Sequence, residues 1–158
     1  MVKDTTNEEK GYAKINLALH VTGIQPDGYH SLDSIVVFTD VFDRLFFKRS
    51  LKNVVTLTGE FSGSINVQEN SILQALKLFG NGLTDRFSIN LEKNLPIGAG
   101  LGGGSADAAA VIRFITNNSK HLMPSYEVLS KIGADIPACV LSVACLLYTS
   151  DAADDLLC

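Results

Sequence analysis

Glycines at positions 98, 100, 102, 103 and 104, inside "LPIGAGLGGGSADAAA" (residues 95–110), constrain the fold more than any other stretch. The segment before them, "RFSINLEKNL", alternates with strand period, and the segment after them, "SADAAAVIRFITNN", carries apolar residues at helical spacing. The chain must therefore pass from strand to helix through backbone largely stripped of Cβ atoms. Consecutive N–H groups can close on an anion there, and the following helix adds its partial positive N-terminus. This predicts a phosphate cradle formed by Pro96, Gly98, Ala99, Gly100, Leu101, Gly102, Gly103, Gly104 and Ser105. Ser105 offers a hydroxyl to a phosphate oxygen or a magnesium ion. Asp107 reads either as a first-turn partner of the helix dipole or as part of a metal environment. No Gly-Lys-Ser/Thr follows the glycines, so this is not a Walker loop. The region beyond, "TNNSKHLMP", lacks the acidic residue of a dinucleotide fingerprint. The positive charge for a phosphate must come from elsewhere in the chain.

Upstream the pattern is mostly β. "YAKINLALHVTG" places Ile15, Leu17, Leu19 and Val21 on one strand face and Lys14, Asn16 and His20 on the other. A Pro26-Asp27-Gly28 turn follows, then strands at "SIVVFTDV", "RLFFKR" and "NVVTLTG". "ENSILQALKLFGNGL" changes to helical period, with Asn70 or Ser71 as cap. "PSYEVLSKIG" predicts a shorter helix capped by Ser125 and closed by Gly133 at C′, and "ADIPACVL" is expected to leave as loop and strand.

With 158 residues, 46% hydrophobic and 19% charged, the composition describes one globular domain. Its apolar runs fall short of the roughly 18 residues that span a bilayer, so no membrane association is expected. The leader, "MVKDTTNEEKG", has no apolar signal core and carries acidic residues, which points to the cytoplasm. A net charge of −4 and a pI near 5.3 argue against nucleic acid as a partner. Cys139, Cys145 and Cys158 are odd in number and lack metal-ligand spacing, which predicts reduced thiols.

The run "PIGAGLGGGSADAAA" resembles the phosphate-binding motif of the GHMP kinase superfamily, which includes galactokinase and homoserine, mevalonate and phosphomevalonate kinases. Taken in order with "AKINLALHVTG", "DGYH" and "GADIP", it is similar to one branch, the 4-diphosphocytidyl-2-C-methyl-D-erythritol kinases, over residues 12–141. That resemblance implies an α+β N-terminal domain in which a mixed sheet packs with helices. It also implies ATP and Mg2+, and phosphorylation of the substrate's 2-hydroxyl in the non-mevalonate isoprenoid pathway. By motif, Lys14 and Asp135 become the catalytic pair and Asn16 a substrate contact. Tyr29 would stack on the cytidine base and His30 would bond its edge. Asn70 and Lys93 fall near adenine and ribose in the family, although a helix cap and an exposed lysine describe them too. His20 and His121 read as structural. Phosphoryl transfer consists mostly of positioning and charge neutralisation, with a carboxylate receiving the hydroxyl proton, so Lys14 and Asp135 suit the chemistry on their own terms. Ala106 stands where many relatives have a second serine, which leaves Ser105 as the hydroxyl for a metal. The alternatives are another GHMP kinase of homoserine or mevalonate type, against which "DGYH" before the triple glycine argues, and a non-catalytic nucleotide-binding module. No feature bears on oligomeric state.

The expected organisation is a polar leader (1–11), the N-terminal GHMP domain (12–144) and a tail (145–158). The family's C-terminal domain is expected to be absent and the chain alone to be inactive. Codons for Cys145 to Asp155 would match a transposon-end sequencing adapter, so the tail reads as non-biological.

Overall fold

A computed structural model describes residues 7–24, 30–64, 71–80 and 85–151. Strands β1 (Asn7–Ile24), β2 (His30–Ser50), β3 (Val54–Thr58), β4 (Arg86–Glu92) and β5 (Cys145–Asp151) form a mixed sheet. Helices α1 (Ser71–Leu78), α2 (Gly103–Asn118), α3 (Tyr126–Ser130) and α4 (Ile136–Leu141) complete the α+β fold. The sheet order is β1-β2-β4-β3, and β2 is its spine. One edge of β2 pairs antiparallel with β1 from Asn7↔Phe47 to Ile24↔His30. Its other edge pairs with β5 along His30–Val36 and with β4 along Arg44–Ser50. β3 lies parallel to β4, which requires the crossover that α1 supplies.

Alternation decides which face is covered. Phe87, Ile89 and Leu91 of β4, and Leu45 and Phe47 of β2, point to one face and are buried under α1 and α2. Phe47 stacks on Phe114 of α2 with ring centroids 3.8 Å apart. Ala106, Ala108, Ala109 and Ala110 are all buried, and their small side chains let the first half of α2 lie close to the sheet. That close approach carries the end of the glycine run onto β1.

The strand expected at "ADIPACVL" is α4, with Ile136, Pro137, Ala138 and Cys139 buried. Six residues are too few to display a helical period, and Pro137 sits in the first turn, where its missing N–H costs nothing. Gly133 is not a left-handed cap; positive φ falls instead on Gly59, Gly80, Gly98, Gly100, Gly102 and Ser142 among the described residues.

The face assignment on β1 is also corrected. β-bulges lie between Tyr12 and Lys14, Asn16 and Ala18, and Val21 and Gly23. The single extra residue on β1 between Asn16 and Ala18 inverts the alternation beyond it. Leu19 and Val21 consequently oppose Ser34 and Leu32, while His20 opposes Asp33 and leaves the face of Lys14 and Asn16. Ile15, Leu17, Leu19 and Val21 are exposed, and Lys14 is buried.

Candidate active site

The loop from Lys93 to Gly103 uses its glycines in two ways. Gly98, Gly100 and Gly102 have φ of 71°, 69° and 66°, a left-handed conformation at every second residue that other side chains rarely adopt. Gly103 opens α2, and a Cβ there would lie 3.0 Å from the Lys93 ammonium. Pro96 to Gly100 are exposed, so the backbone that could meet an anion is accessible. Helix α2 thus begins two residues before the expected Ser105, and Ser105 is half-buried within its first turn.

The missing positive charge lies beside the loop's end. The backbone N–H of Lys14 donates to Leu101 O at 2.8 Å, tying β1 to the loop. Its ammonium pairs with Asp135 Oδ2 at 2.9 Å and donates to Asn16 Oδ1 at 3.2 Å. The Lys14 side chain is 6% exposed and that of Asp135 is 27% exposed, so the carboxylate is the more open partner. Asp135 occupies the N-cap position of α4 but makes no side-chain cap bond, since its carboxylate is turned to Lys14. A Cβ on Gly102 would lie 3.4 Å from Lys14 Cε and 3.6 Å from Asp135 Oδ2. Loop, lysine and carboxylate therefore converge on one glycine. One on Gly133 would lie 3.4 Å from Ser105 Oγ, which places the Ser105 hydroxyl next to the turn that carries Asp135.

Other expected residues lie elsewhere. His30 starts β2, eight positions before Phe38, the partner of Lys14, which puts it at most about 26 Å along the strand. Its Nδ1 is buried without a hydrogen-bond partner among the described residues. Tyr29 and Asn70 lie outside the described residues. Lys93, expected near adenine and ribose or as an exposed lysine, is instead 3% exposed. Its ammonium contacts Asp43 Oδ2 at 2.5 Å and Asp107 Oδ2 at 2.8 Å. Asp107 accordingly faces the interior and is neither a first-turn dipole partner nor an open metal ligand.

This trio has one ammonium and two carboxyl groups, and it is electrically balanced when one carboxyl holds a proton. Burial, with the charge of Asp43 adding to it and that of Lys93 opposing, pushes the Asp107 carboxyl up to about 8. Burial alone would lower the Lys93 pKa, but the charge of Asp107 and the hydrogen bonds to both carboxylates outweigh it and the net shift is upward.

Two supporting residues escape the motif reading. Ser34, buried, donates to Asn16 Oδ1 at 3.2 Å and Ala18 O at 2.9 Å and so fixes the amide beside Lys14. Arg113 of α2 donates to Lys10 O and Cys139 O, joining the strand of Lys14 to the helix that Asp135 begins. Neither residue has a local signature; the signal is a polar side chain at a position where the period demands an apolar one.

Residues 70–145 match the family described as the GHMP kinases N terminal domain. The chain carries a GHMP kinase N-terminal domain. The 4-diphosphocytidyl-2-C-methyl-D-erythritol kinase of Rhizobium johnstonii is 46% identical over 142 residues, 85% of this chain and 47% of that protein. The enzyme of the same name from Novosphingobium aromaticivorans is 42% identical over 141 residues, 87% of this chain and 48% of that protein. The GHMP domain also superposes on a crystal structure of 4-(cytidine 5'-diphospho)-2C-methyl-D-erythritol kinase. The TM-score is 0.73 at 30% identity, covering 90% of this chain and 52% of that one. Mevalonate kinase from Methanococcus jannaschii, at 17% identity and a TM-score of 0.52, shares the fold. The chain spans about half the length of the curated relatives it matches. Among the described residues no helix is long and apolar enough to cross a membrane.

Proposed function

We propose that the complete protein to which this chain belongs transfers the γ-phosphoryl group of ATP to the 2-hydroxyl of 4-diphosphocytidyl-2-C-methyl-D-erythritol, a cytoplasmic step of non-mevalonate isoprenoid synthesis. The observation that carries this reading is the Lys14–Asp135 pair seated against Gly102 at the end of the loop. The relatives named for that reaction, at 42–46% identity, support the choice of substrate.

In this reading the left-handed backbone at Gly98, Gly100 and Gly102 and the N-terminus of α2 receive the phosphates. The Lys14 ammonium offsets charge on the transferred group. The substrate oxygen bonds to the γ-phosphorus as the bond from that phosphorus to the β–γ bridging oxygen breaks. The hydroxyl proton passes to the Asp135 carboxylate and ADP leaves. Asn16, held by Ser34, orients the alcohol, while Tyr29 and His30 take the cytidine end. Asn70 and Lys93 are assigned no contact.

Mg2+ usually keeps one or two protein oxygens and takes the rest from phosphates and water. The Ser105 hydroxyl suits that role, and among the described residues no group of three or more His, Cys, Asp or Glu gathers to hold a resident ion. When bound, the ion would neutralise charge on the β- and γ-phosphates.

The test is a coupled ADP assay of the complete gene product with each alcohol in turn. Turnover is expected with the cytidyl substrate. Preference for homoserine or mevalonate defeats the substrate assignment, and nucleotide binding without turnover on any alcohol favours a non-catalytic module.

A further inference from the structure

Asp43 lies outside every motif, yet it is fully buried at the centre of the sheet and both of its oxygens are engaged. Oδ1 accepts the backbone N–H groups of Asn94 at 2.6 Å and Leu95 at 2.8 Å, the residues through which the chain enters the loop. Oδ2 contacts the Lys93 ammonium, which also holds Asp107, four residues into the helix by which the chain leaves the loop. Two glycines make the arrangement possible. Gly103 has no Cβ to press on the Lys93 ammonium. Gly11, directly across from Asp43 in the β1–β2 register, leaves the space that Asp107 fills, and a Cβ there would lie 2.9 Å from Asp107 Oδ1.

We propose that Asp43 is the positioning residue of the glycine loop, holding its entry and exit together through a buried clamp with Lys93 and Asp107. The clamp touches neither phosphate nor alcohol. It fixes the separation of the two stems, and so the place where Leu101 O meets Lys14 N–H and where Gly102 meets Lys14 and Asp135. That the positioned loop serves a nucleotide rests on the phosphate-binding reading above; the clamp itself does not.

The test compares two double variants of the 158-residue chain, Asp43→Asn/Lys93→Met and Asp43→Leu/Lys93→Met. Both remove the ion pair without leaving a lone buried ammonium, and exchanging such a pair for uncharged side chains of similar volume is often nearly neutral in stability. Any direct role of Lys93 cancels between them. Only the asparagine variant keeps an acceptor for Asn94 and Leu95. The decisive readout is hydrogen exchange at the Lys14 amide in nucleotide-free protein, because that amide donates to Leu101 O in the loop, whereas Asp43 accepts from Asn94 and Leu95.

Exchange at Lys14 is expected to be about tenfold faster in the leucine variant than in wild type, and within about threefold of wild type in the asparagine variant. ATP affinity in the presence of Mg2+ should follow the same order. Equal Lys14 exchange in the two variants, or in both and wild type, overturns the clamp. Failure of the complete gene product to bind ATP overturns the phosphate reading, while the exchange result still judges the clamp. Should the leucine variant not fold, Asp107→Ala, which leaves the Asp43–Lys93 pair whole, decides the matter. Faster Lys14 exchange with Asn94 and Leu95 still protected supports the proposal, and unchanged Lys14 exchange overturns it.

Discussion

Replacing Asp107 by asparagine should abolish one specific component of the protein's pH dependence. The Asp107 carboxyl rises from an ordinary value of 3.8 to about 8 on folding, because burial and the neighbouring Asp43 charge outweigh the pull of Lys93. A folded-state pKa above the unfolded value means that the native protein holds a proton the unfolded chain has released. That stabilisation is full below about pH 3.8 and is lost progressively as pH rises to about 8. One proton corresponds to about 1.4 kcal/mol per pH unit, so between pH 5 and pH 7 the loss is about 3 kcal/mol. For a domain of this size that is roughly 8 °C in melting temperature. Asparagine resembles the protonated acid and does not titrate. Urea denaturation of both proteins at pH 5, 6, 7, 8 and 9 gives the difference curve directly. The wild-type advantage should fall by about 1.4 kcal/mol per unit up to pH 7 and flatten above pH 8. Parallel curves for the two proteins between pH 5 and pH 8 would rule out a folding-linked proton on Asp107, which would then be in the same protonation state in both states.

Two further outcomes follow from the same region. Gly11→Ala should destabilise by about 1–3 kcal/mol, because its Cβ would meet Asp107 Oδ1 at 2.9 Å and the Ala106 backbone at 3.1 Å. Adding Asp107→Ala should recover part of that loss in a double-mutant cycle. The Cys139 thiol is buried and pushed up to about 12 by desolvation, so peptide mapping after alkylation of native protein at pH 8 should find it unmodified and urea-unfolded protein should expose it.

Much of this site was legible in the residues. The glycine spacing foretold the strand-to-helix junction, and the run supplies glycine where the loop takes left-handed φ, at 98, 100 and 102. Lys14 and Asn16, two residues apart on a strand, do share a face. The clamp was half visible. Phe87, Ile89, Leu91, Lys93 and Leu95 alternate without a break, and Asp43 continues the buried series of Leu45 and Phe47. The period therefore places both charges inside, but it cannot say that Asp43 and Lys93, 50 residues apart, meet there. Bulges were invisible because one unpaired residue inverts a pattern without altering composition, which is why the apolar stripe of β1 misled. α4 failed for a simpler reason: six residues reveal no period, and only burial against α2 makes them helical.

In the proposed reaction Asp135 receives the hydroxyl proton while the loop, independently, holds the nucleotide. Asp135→Asn in the complete gene product, followed by kcat and by ATP affinity, tests it most directly. The asparagine still accepts a hydrogen bond from Lys14 but is a far weaker base, so kcat should fall by at least about a hundredfold while ATP affinity stays within about threefold of wild type. Turnover equal to wild type, or a loss confined to ATP affinity, would remove Asp135 from the proton-accepting role.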